Sequence, residues 1–242
     1  MLSQYILFHY GRPAEVLPFA DGPTSGLEYP ARYVRACVER HPGPWGRALD
    51  LGCAVGGTSF ELARYFDEVV GIDLSRRFIS AARALQRAGR LPYRRVEAGI
   101  VTSDALARVP AEIERSRTRF LIGDATAVPR SLGTFDLVVL ANLLDRVGDP
   151  ARCLAQMRDL VRPGGRLVIS SPFTWMTEYT PRSKWLGGVR RGGREVQVHD
   201  SLLRLLRSDF ALVRRVDVPF TIRDHARKYQ WAVADATVWE RR

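Results

Sequence analysis

The sequence feature that most constrains the fold is a glycine-rich turn that follows a short apolar run, in residues 48–58 (ALDLGCAVGGT). The apolar run predicts a buried strand. The glycines predict a sharp turn, because glycine adopts backbone conformations that other residues avoid. A helix that starts just after such a turn directs free N–H groups at whatever lies above it. This order is typical of a cofactor-binding loop, and an ordinary strand-to-helix turn is the alternative.

The spacing of the glycines separates two classes of cofactor loop. In the dinucleotide pattern G-x-G-x-x-G, the second glycine lets the backbone approach a pyrophosphate. Aligned from Gly52, that position is Ala54, which disfavours a pyrophosphate. The other pattern is acidic-x-Gly-x-Gly-x-Gly, which the chain matches at Asp50, Gly52 and Gly56, with Ala54 at the middle glycine. It resembles motif I of the class I methyltransferases that use S-adenosylmethionine (SAM).

Strand and helix patterns alternate along most of the chain. The alternation predicts a Rossmann-like, doubly wound α/β fold with a mostly parallel sheet. Two closing strand patterns, at 211–218 and 230–238, have no crossover helix between them and predict an antiparallel hairpin at one edge. The earlier predicted strands are 47–51, 68–73, 119–123, 135–141 and 166–170.

The length of 242 residues suits one domain, spanning 1–242. We expect residues 1–46 to form an N-terminal cap with a helix at about 29–40. Residues 90–118 and 172–198 do not fit the alternation, so we interpret them as insertions that form walls of a substrate site. The second insertion is rich in aromatic residues, and loops of this length are usually functional or disordered.

The net charge of +11 raises nucleic-acid binding as a hypothesis. The arginines are scattered, however, and the tight group at 190–194 has no interleaved aromatic residues to stack on bases. We therefore expect no nucleic-acid partner. A basic, non-catalytic RNA-binding protein with a vestigial fold stays the alternative.

The cysteines and histidines argue against a disulfide framework and a metal site. Cys37, Cys53 and Cys153 are odd in number and far apart, which predicts reduced thiols in the cytoplasm. The four histidines are isolated and lack metal-ligand spacing, so no metal is expected. No apolar run reaches the roughly 18 residues of a membrane span, and no signal peptide is evident, so we expect no membrane partner.

Polar side chains stand at or just after the ends of four predicted strands, at Asp50, Asp73, Asp124 and Asn142. Ligands of open α/β sheets bind beyond the carboxyl ends of the strands. The series resembles class I methyltransferases, and the resemblance implies that Asp73 takes both ribose hydroxyls of SAM and Asp124 the adenine amine. The cofactor-binding residues that it implies are Asp50, Gly52, Cys53, Ala54, Gly56, Asp73, Leu74, Asp124, Ala125 and Ala141.

A narrower resemblance runs nearly end to end. The stretches that carry it are YILFHYG (5–11), ALDLGCAVG (48–56), LPYR (91–94), ANLLDR (141–146), SPFTW (171–175), TPR (180–182), WLGG (185–188) and HARKYQW (225–231). In these stretches the chain is similar to the stand-alone mercaptohistidine N-methyltransferases of ovothiol biosynthesis, which also form the C-terminal domain of ovothiol synthases. The resemblance implies methyl transfer from SAM to an imidazole ring nitrogen of 5(4)-mercaptohistidine. An iron-dependent sulfoxide synthase domain would need a clustered histidine site, which this chain lacks, so a separate sulfoxide synthase and lyase would supply this small-molecule substrate.

Candidate residues for the substrate site come from these stretches. Arg182 or Lys228 is expected to bind the amino-acid carboxylate, and Asp145 the ammonium or an imidazole N–H. His225 and Tyr229 are four residues apart, which places them on one face of a helical turn. The catalytic candidates are Tyr10, Asn142, Asp145, His225 and Tyr229. The substrate-binding candidates are Phe173, Tyr179, Arg182, Trp185 and Lys228.

Two alternatives stay open for the acceptor. A selenium analogue, 5-selenohistidine, needs nearly the same pocket as the sulfur compound. Another SAM-dependent methyltransferase of this fold would act on RNA or on a different small molecule.

Overall fold

The computed structural model describes residues 1–38 and 46–242. The end of the helix predicted at 29–40, and the end of the cap predicted at 1–46, fall partly outside the described residues. The helices are α1 (Leu2–Tyr10), α2 (Pro13–Val16), α3 (Tyr29–Cys37), α4 (Gly57–Leu62), α5 (Arg76–Ala88), α6 (Pro150–Ala155), α7 (Met157–Leu160) and α8 (Val198–Leu206). The strands are β1 (Arg47–Leu51), β2 (Glu68–Asp73), β3 (Arg90–Ala98), β4 (Val101–Arg108), β5 (Thr118–Ile122), β6 (Phe135–Ala141), β7 (Val161–Ser171), β8 (Val189–Arg191), β9 (Arg194–Val196), β10 (Phe210–His225) and β11 (Lys228–Arg241).

Seven of these strands form one sheet, in the spatial order β5-β2-β1-β6-β7-β11-β10. Strands β5, β2, β1, β6 and β7 run parallel to one another. Strand β11 runs antiparallel to both β7 and β10. The predicted Rossmann-like fold, mostly parallel with an antiparallel hairpin at one edge, is confirmed.

The core lies on both faces of this sheet. The core on one face includes Tyr33 of α3, Phe60 of α4 and Phe66. The core on the other face includes Met157 of α7 and Leu202 of α8. Because both faces are covered, the central strand β6 is a continuous buried run rather than an alternating one.

Helix α5 begins and ends as its sequence predicts. The side chain of Ser75 accepts a hydrogen bond from the Phe78 N–H at 3.3 Å, which caps the first turn. Gly89 ends the helix in the left-handed conformation, with φ of +67°. The helix thereby places its apolar face on the sheet and carries the chain away from the carboxyl end of β2.

The closing hairpin differs from the prediction, which placed a helical turn between strands at 211–218 and 230–238. Strands β10 and β11 continue to His225 and from Lys228, so that only Ala226 and Arg227 form the turn. Arg223 lies opposite Tyr229 in the ladder. The prediction of a helical turn is wrong, because backbone pairing of two long strands replaces the local helical bonds.

The two insertions form small hairpins of their own. Strands β3 and β4 pair only with each other in the described structure, and β8 pairs with β9. The first hairpin supports the end of β10, since Ala226 N–H donates to the Glu97 carbonyl at 3.0 Å and Arg223 pairs with the Glu97 carboxylate. No helix in the described part of the chain is long and apolar enough to cross a membrane.

Candidate active site

A cavity of about 850 Å³ opens where β1, β2, β5 and β6 end. The glycine-rich loop and the residues that follow these strands form its floor. Helix α1, strand β10 and the 172–198 insertion form its walls. The cavity therefore lies at the position where ligands bind in open α/β sheets.

The glycine-rich loop is held tightly against the sheet. The N–H groups of Gly52 and Cys53 donate to the Ile72 carbonyl at 2.8 and 3.0 Å. Gly52 has φ of +73°, a conformation that L side chains rarely adopt, and a Cβ there would also press on the Leu143 side chain, so this position favours glycine. Ala54, at the middle position of the motif, adopts the left-handed region with φ of +48°. The loop thus keeps its conformation without its middle glycine, at a cost in local strain.

Asp73 is arranged to bind a diol. Its two carboxylate oxygens accept the N–H groups of Ala54 at 3.0 Å and Ser75 at 2.8 Å. Burial raises the pKa of Asp73, and these N–H bonds oppose that rise. Each oxygen can accept a second hydrogen bond, and Asp73 lines the cavity. This geometry fits the two ribose hydroxyls of SAM.

The adjoining part of the cavity fits an adenine ring. Asp124 lies there with its Oδ1 held by the backbone and hydroxyl of Thr126, at 2.7 and 2.8 Å. Leu74 is exposed and Ala125 buried, and both supply apolar surface. Eight of the ten predicted cofactor residues line the cavity, namely Gly52, Cys53, Ala54, Asp73, Leu74, Asp124, Ala125 and Ala141.

The other two predicted cofactor residues, Asp50 and Gly56, lie outside the cavity lining. Gly56 takes φ of +87° against the Phe120 ring and starts α4. Asp50 is fully buried beneath the loop and accepts the Ser59 hydroxyl at 2.6 Å. Its Oδ1 has no hydrogen-bond partner among the described residues. Burial raises the pKa of Asp50 to about 7, so this carboxyl is a source of instability above neutral pH.

We expect Asp50→Asn to raise the melting temperature of the ligand-free protein more at about pH 8 than at about pH 5. The folded chain keeps this proton where the unfolded chain, with a pKa of 3.8, has lost it. Stability therefore falls as pH rises from 3.8 to about 7, by a total of ~4 kcal/mol. Thermal unfolding at the two pH values checks this, with exposed Asp104→Asn as the control. An equal shift at both values would contradict it.

Aromatic rings from the N-terminal helices form a wall that the site predictions did not include. Tyr5, Phe8 and His9 of α1 and Tyr29 of α3 line the cavity. Phe8 stacks on Tyr29 with ring centroids 5.3 Å apart. The available signal was the YILFHYG stretch, whose i, i+3, i+4 spacing places Tyr5, Phe8 and His9 on one face of a helix.

Tyr10, a predicted catalytic residue, lies beside the cavity and does not line it. Its hydroxyl donates to the Val55 carbonyl at 2.6 Å, and burial raises its pKa well above the usual value. Tyr10 thus fastens α1 to the glycine-rich loop.

Asn142 and Asp145, both predicted catalytic residues, line the cavity after β6. Asn142 has a left-handed backbone with φ of +52°, and its buried Oδ1 has no hydrogen-bond partner among the described residues. Asp145 is buried and accepts the Ser171 hydroxyl at 2.8 Å and Arg146 Nη1 at 2.8 Å. Its pKa is raised by burial, and Arg146 and Ser171 oppose the rise. Asp145 therefore orients Arg146.

Arg146 was missed by the sequence predictions, although it ends the ANLLDR stretch. It lines the cavity, and Nη1 also donates to the Thr174 carbonyl at 2.7 Å. Its guanidinium carbon lies 5.2 Å from the centre of the Tyr179 ring. Among the described residues its hydrogen bonds all use Nη1, which leaves the other donors of the guanidinium for a ligand.

The 172–198 insertion reaches the cavity at a few points. Pro172, predicted Tyr179 and unpredicted Lys184 line it, and Lys184 Nζ lies 2.9 Å from Asp149 Oδ2. Predicted Phe173, Arg182 and Trp185 do not line it. They belong to a stack of side chains around Trp175. The centre of the Trp175 ring lies 6.3 Å from that of Phe173 and 6.1 Å from that of Trp185. The Arg182 guanidinium lies 6.0 Å from the centre of the Trp185 ring.

The predicted residues of the closing hairpin lie outside the cavity lining. Lys228 pairs with Asp224 at 3.2 Å, and the Tyr229 hydroxyl donates to the Ala226 carbonyl at 2.6 Å. His225 Nδ1 accepts the Arg227 N–H at 3.3 Å. The physical reason is the pairing of β10 with β11, which carries the turn beyond the cavity. Earlier residues of β10, Phe220 and Ile222, line it instead. The described chain has no cluster of three or more His, Cys, Asp or Glu side chains that fits a metal ion.

Comparisons with known proteins agree with this geometry. Residues 49–167 match the Methyltransf_12 family, described as a methyltransferase domain. Over this part of its length the chain is similar to SAM-dependent methyltransferases. The matched part runs from β1 to β7, and it contains the glycine-rich loop, Asp73, Asp124 and Asn142.

Individual relatives and structures fit the same assignment. The ubiquinone biosynthesis O-methyltransferase of Aeromonas salmonicida is 32% identical over 127 residues, which cover 52% of this chain and 42% of that protein. The norajmaline N-methyltransferase of Rauvolfia serpentina is 28% identical over 124 residues, 51% of this chain and 35% of that protein. The chain spans between about a third and about half the length of the curated relatives it matches.

A solved structure extends the likeness over the whole fold. The N-methyltransferase NodS from Bradyrhizobium japonicum, in complex with S-adenosylhomocysteine (SAH), superposes with a TM-score of 0.56. The superposition covers 99% of this chain and 98% of that one at 17% identity. The fold of the described residues is therefore that of a class I methyltransferase.

The residues of the cavity fit SAM as the cofactor. Asp73 would hold the ribose, Leu74, Asp124 and Ala125 the adenine, and the loop at Gly52–Ala54 the methionyl part. The observation that supports this fit is the Asp73 carboxylate, which two backbone N–H groups hold at the cavity surface. SAM supplies an electrophilic methyl group on its sulfonium.

Proposed function

We propose that the chain transfers the methyl group of SAM to an imidazole ring nitrogen of 5(4)-mercaptohistidine. The observation that carries the proposal is the composition of the acceptor side of the cavity. Aromatic rings stand there beside charged side chains of both signs, which suits an aromatic zwitterionic amino acid. Asp145 and Arg146 interact electrostatically with Tyr5 of the aromatic wall, and the cavity lining also carries Asp149, Arg152 and Lys184.

Arg146 is the residue that we assign to the carboxylate of this substrate. The two candidates drawn from the sequence alone, Arg182 and Lys228, do not line the cavity, whereas Arg146 does. Its Nη1 donates to the buried Asp145 carboxylate and to the Thr174 carbonyl, and the Ser171 hydroxyl holds the Asp145 carboxylate in turn. A fixed guanidinium binds a carboxylate with two parallel hydrogen bonds. Because the Arg146 side chain is already fixed in the free protein, binding loses little of its conformational entropy, which favours tight and oriented binding.

Asn142 is the residue that we assign to the imidazole. In the ligand-free chain Asn142 Oδ1 is buried without a partner among the described residues, which is costly, and rotation of the amide toward the cavity would let a bound ring N–H satisfy it. When that N–H is held, the lone pair stays on the other ring nitrogen. That nitrogen would then take the methyl group that SAM supplies, with SAH as the product. The N–H held by Asn142 would keep its proton, and the substrate thiolate would balance the positive charge of the methylated ring. Alignment of the two centres at about 3 Å supplies most of the acceleration.

The thiolate of the substrate is a softer nucleophile than its nitrogen, so a selective site must hold the sulfur away from the methyl group. The aromatic wall is suited to this, because Phe8, Tyr29 and Phe220 pack on one another with centroids 5.3 to 6.0 Å apart. Rigid walls fix a bound ring better than a flexible loop does. The same wall would hold 5-selenohistidine, which remains an alternative acceptor.

The test is a methyl-transfer assay with SAM, followed by mass spectrometry. We expect 5(4)-mercaptohistidine to gain one methyl group on a ring nitrogen, with fragmentation and NMR locating it. Histidine, 5-selenohistidine and RNA are the comparison acceptors. Methylation on sulfur, or transfer to RNA but not to mercaptohistidine, would overturn the proposal. The class I methyltransferase fold would stand in either case.

The proposal includes the partners of the reaction. The small-molecule acceptor would come from a separate sulfoxide synthase and lyase. No nucleic-acid or membrane partner is part of the reaction, and we place it in the cytoplasm. Cys37, Cys53 and Cys153 are buried and free of disulfides, which is consistent with a reducing compartment.

A further inference from the structure

His9 has no role in the scheme above, yet it occupies a prominent place in the cavity wall. Its ring lies between α1 and the start of α4, and its Nδ1 accepts the Gly57 N–H at 3.0 Å. The ring also lines the cavity. A side chain that contacts both the cofactor loop and the ligand space is a candidate for a ligand contact.

The bond to Gly57 fixes the protonation of His9. Because the Nδ1 lone pair accepts this N–H, the ring proton is on Nε2. Burial lowers the pKa of His9 to about 3, so the ring is neutral near pH 7. His9 is therefore neutral and has a single tautomer. Its Nε2–H takes no part in the bond to Gly57 and is available to a ligand in the cavity.

The chain is built to seat this ring. A Cβ at Gly57 would lie 2.5 Å from His9 Nδ1, so only glycine permits the approach. Tyr10, the next residue, fastens the same helix to the Val55 carbonyl at 2.6 Å. Two consecutive side chains of α1 thus lock the helix to the glycine-rich loop, and His9 cannot turn away without loss of the Gly57 bond.

We infer that His9 donates its Nε2–H to the methionyl carboxylate of SAM. The direction follows from the sheet order, in which β5, β2 and β1 are successive neighbours. Asp73 ends β2 and Asp124 comes just after β5. Because both would hold the nucleoside, the amino-acid part would extend over β1, where His9 adjoins the loop. The carboxylate is the anionic group of SAM, and a fixed N–H donor suits it. The inference rests on SAM as the cofactor and is independent of the methyl acceptor.

The test compares two ligands on the full-length protein by calorimetry. SAH carries the carboxylate, and decarboxylated SAH lacks only that group. We expect His9→Phe to weaken SAH by about 10- to 100-fold and to leave decarboxylated SAH within about twofold of the wild type. His9→Gln, which keeps an N–H donor, should retain part of the affinity for SAH. Gly57→Ala should reproduce the selective loss, because its Cβ displaces the ring.

Binding of decarboxylated SAH reports on the fold in every variant, so each variant carries its own control. Equal weakening of both ligands would show that His9 only supports the loop, and would overturn the inference. Unchanged SAH affinity would overturn it as well. In that case a raised KM for the methyl acceptor would place the His9 donor on the acceptor instead.

Discussion

Asp73→Ala is expected to weaken the binding of SAM and SAH by at least about 100-fold. Each hydrogen bond to a charged group contributes about 1.5–3 kcal/mol, and Asp73 would make two with the ribose. The same carboxylate accepts the Ala54 N–H at 3.0 Å, so its loss also loosens the loop on which the methionyl part would lie. Calorimetric titration of SAH into the variant measures the effect.

Two further variants sharpen this prediction. Asp73→Asn keeps one acceptor oxygen and should fall between the wild type and Asp73→Ala. Asp104→Ala removes a carboxylate from the exposed β3–β4 hairpin, where it pairs with Arg94 at 2.8 Å, and should leave SAH binding unchanged. An Asp73→Ala protein with wild-type affinity for SAH would exclude Asp73 as the ribose ligand.

The sheet and its ligand edge were predictable because their signals are local. A fully buried parallel strand is a continuous apolar run, as in Phe135–Ala141, and a carboxylate after such a run falls at the ligand edge. Asp73, Asp124 and Asn142 are therefore found from sequence. Ala54 shows that a positive φ does not always require glycine, because alanine adopts φ of +48° in this loop, which hydrogen bonds hold on both sides.

The walls of the site were less predictable because they depend on distant pairing. Whether 220–229 is a helical turn or a hairpin is decided by the ladder between β10 and β11, which no short window of sequence contains. The hairpin carries His225 and Tyr229 past the cavity and leaves Phe220 and Ile222 in its wall. In the same way, α1 reaches the loop only because the fold brings Tyr10 to Val55, 45 residues along the chain.

Arg146→Gln is expected to lower kcat/KM for 5(4)-mercaptohistidine by about 100-fold, mainly through KM, with SAH affinity unchanged. Removing one partner of a hydrogen-bonded charge pair costs about 2–5 kcal/mol. Arg146→Lys should recover only part of the loss, since an ammonium lacks the planar fork that matches a carboxylate. Asp145 would then lose its cation, and its pKa, which burial already raises, should rise further. Steady-state kinetics measures the effect on 5(4)-mercaptohistidine, and calorimetry measures the affinity for SAH.

A substrate without the carboxylate identifies what Arg146 binds. The decarboxylated analogue of mercaptohistidine keeps the imidazole and the sulfur, so the wild-type enzyme should use it with a raised KM and Arg146→Gln should change its turnover little. Arg158→Gln is the matched control, because Arg158 is exposed and pairs with Asp159 at 3.6 Å, outside the cavity lining. If Arg146→Gln lowered kcat/KM equally for both substrates, Arg146 would act by supporting Tyr179 and the wall. The carboxylate would then have to bind elsewhere, and Arg152 and Lys184 are the other cations of the lining after β6.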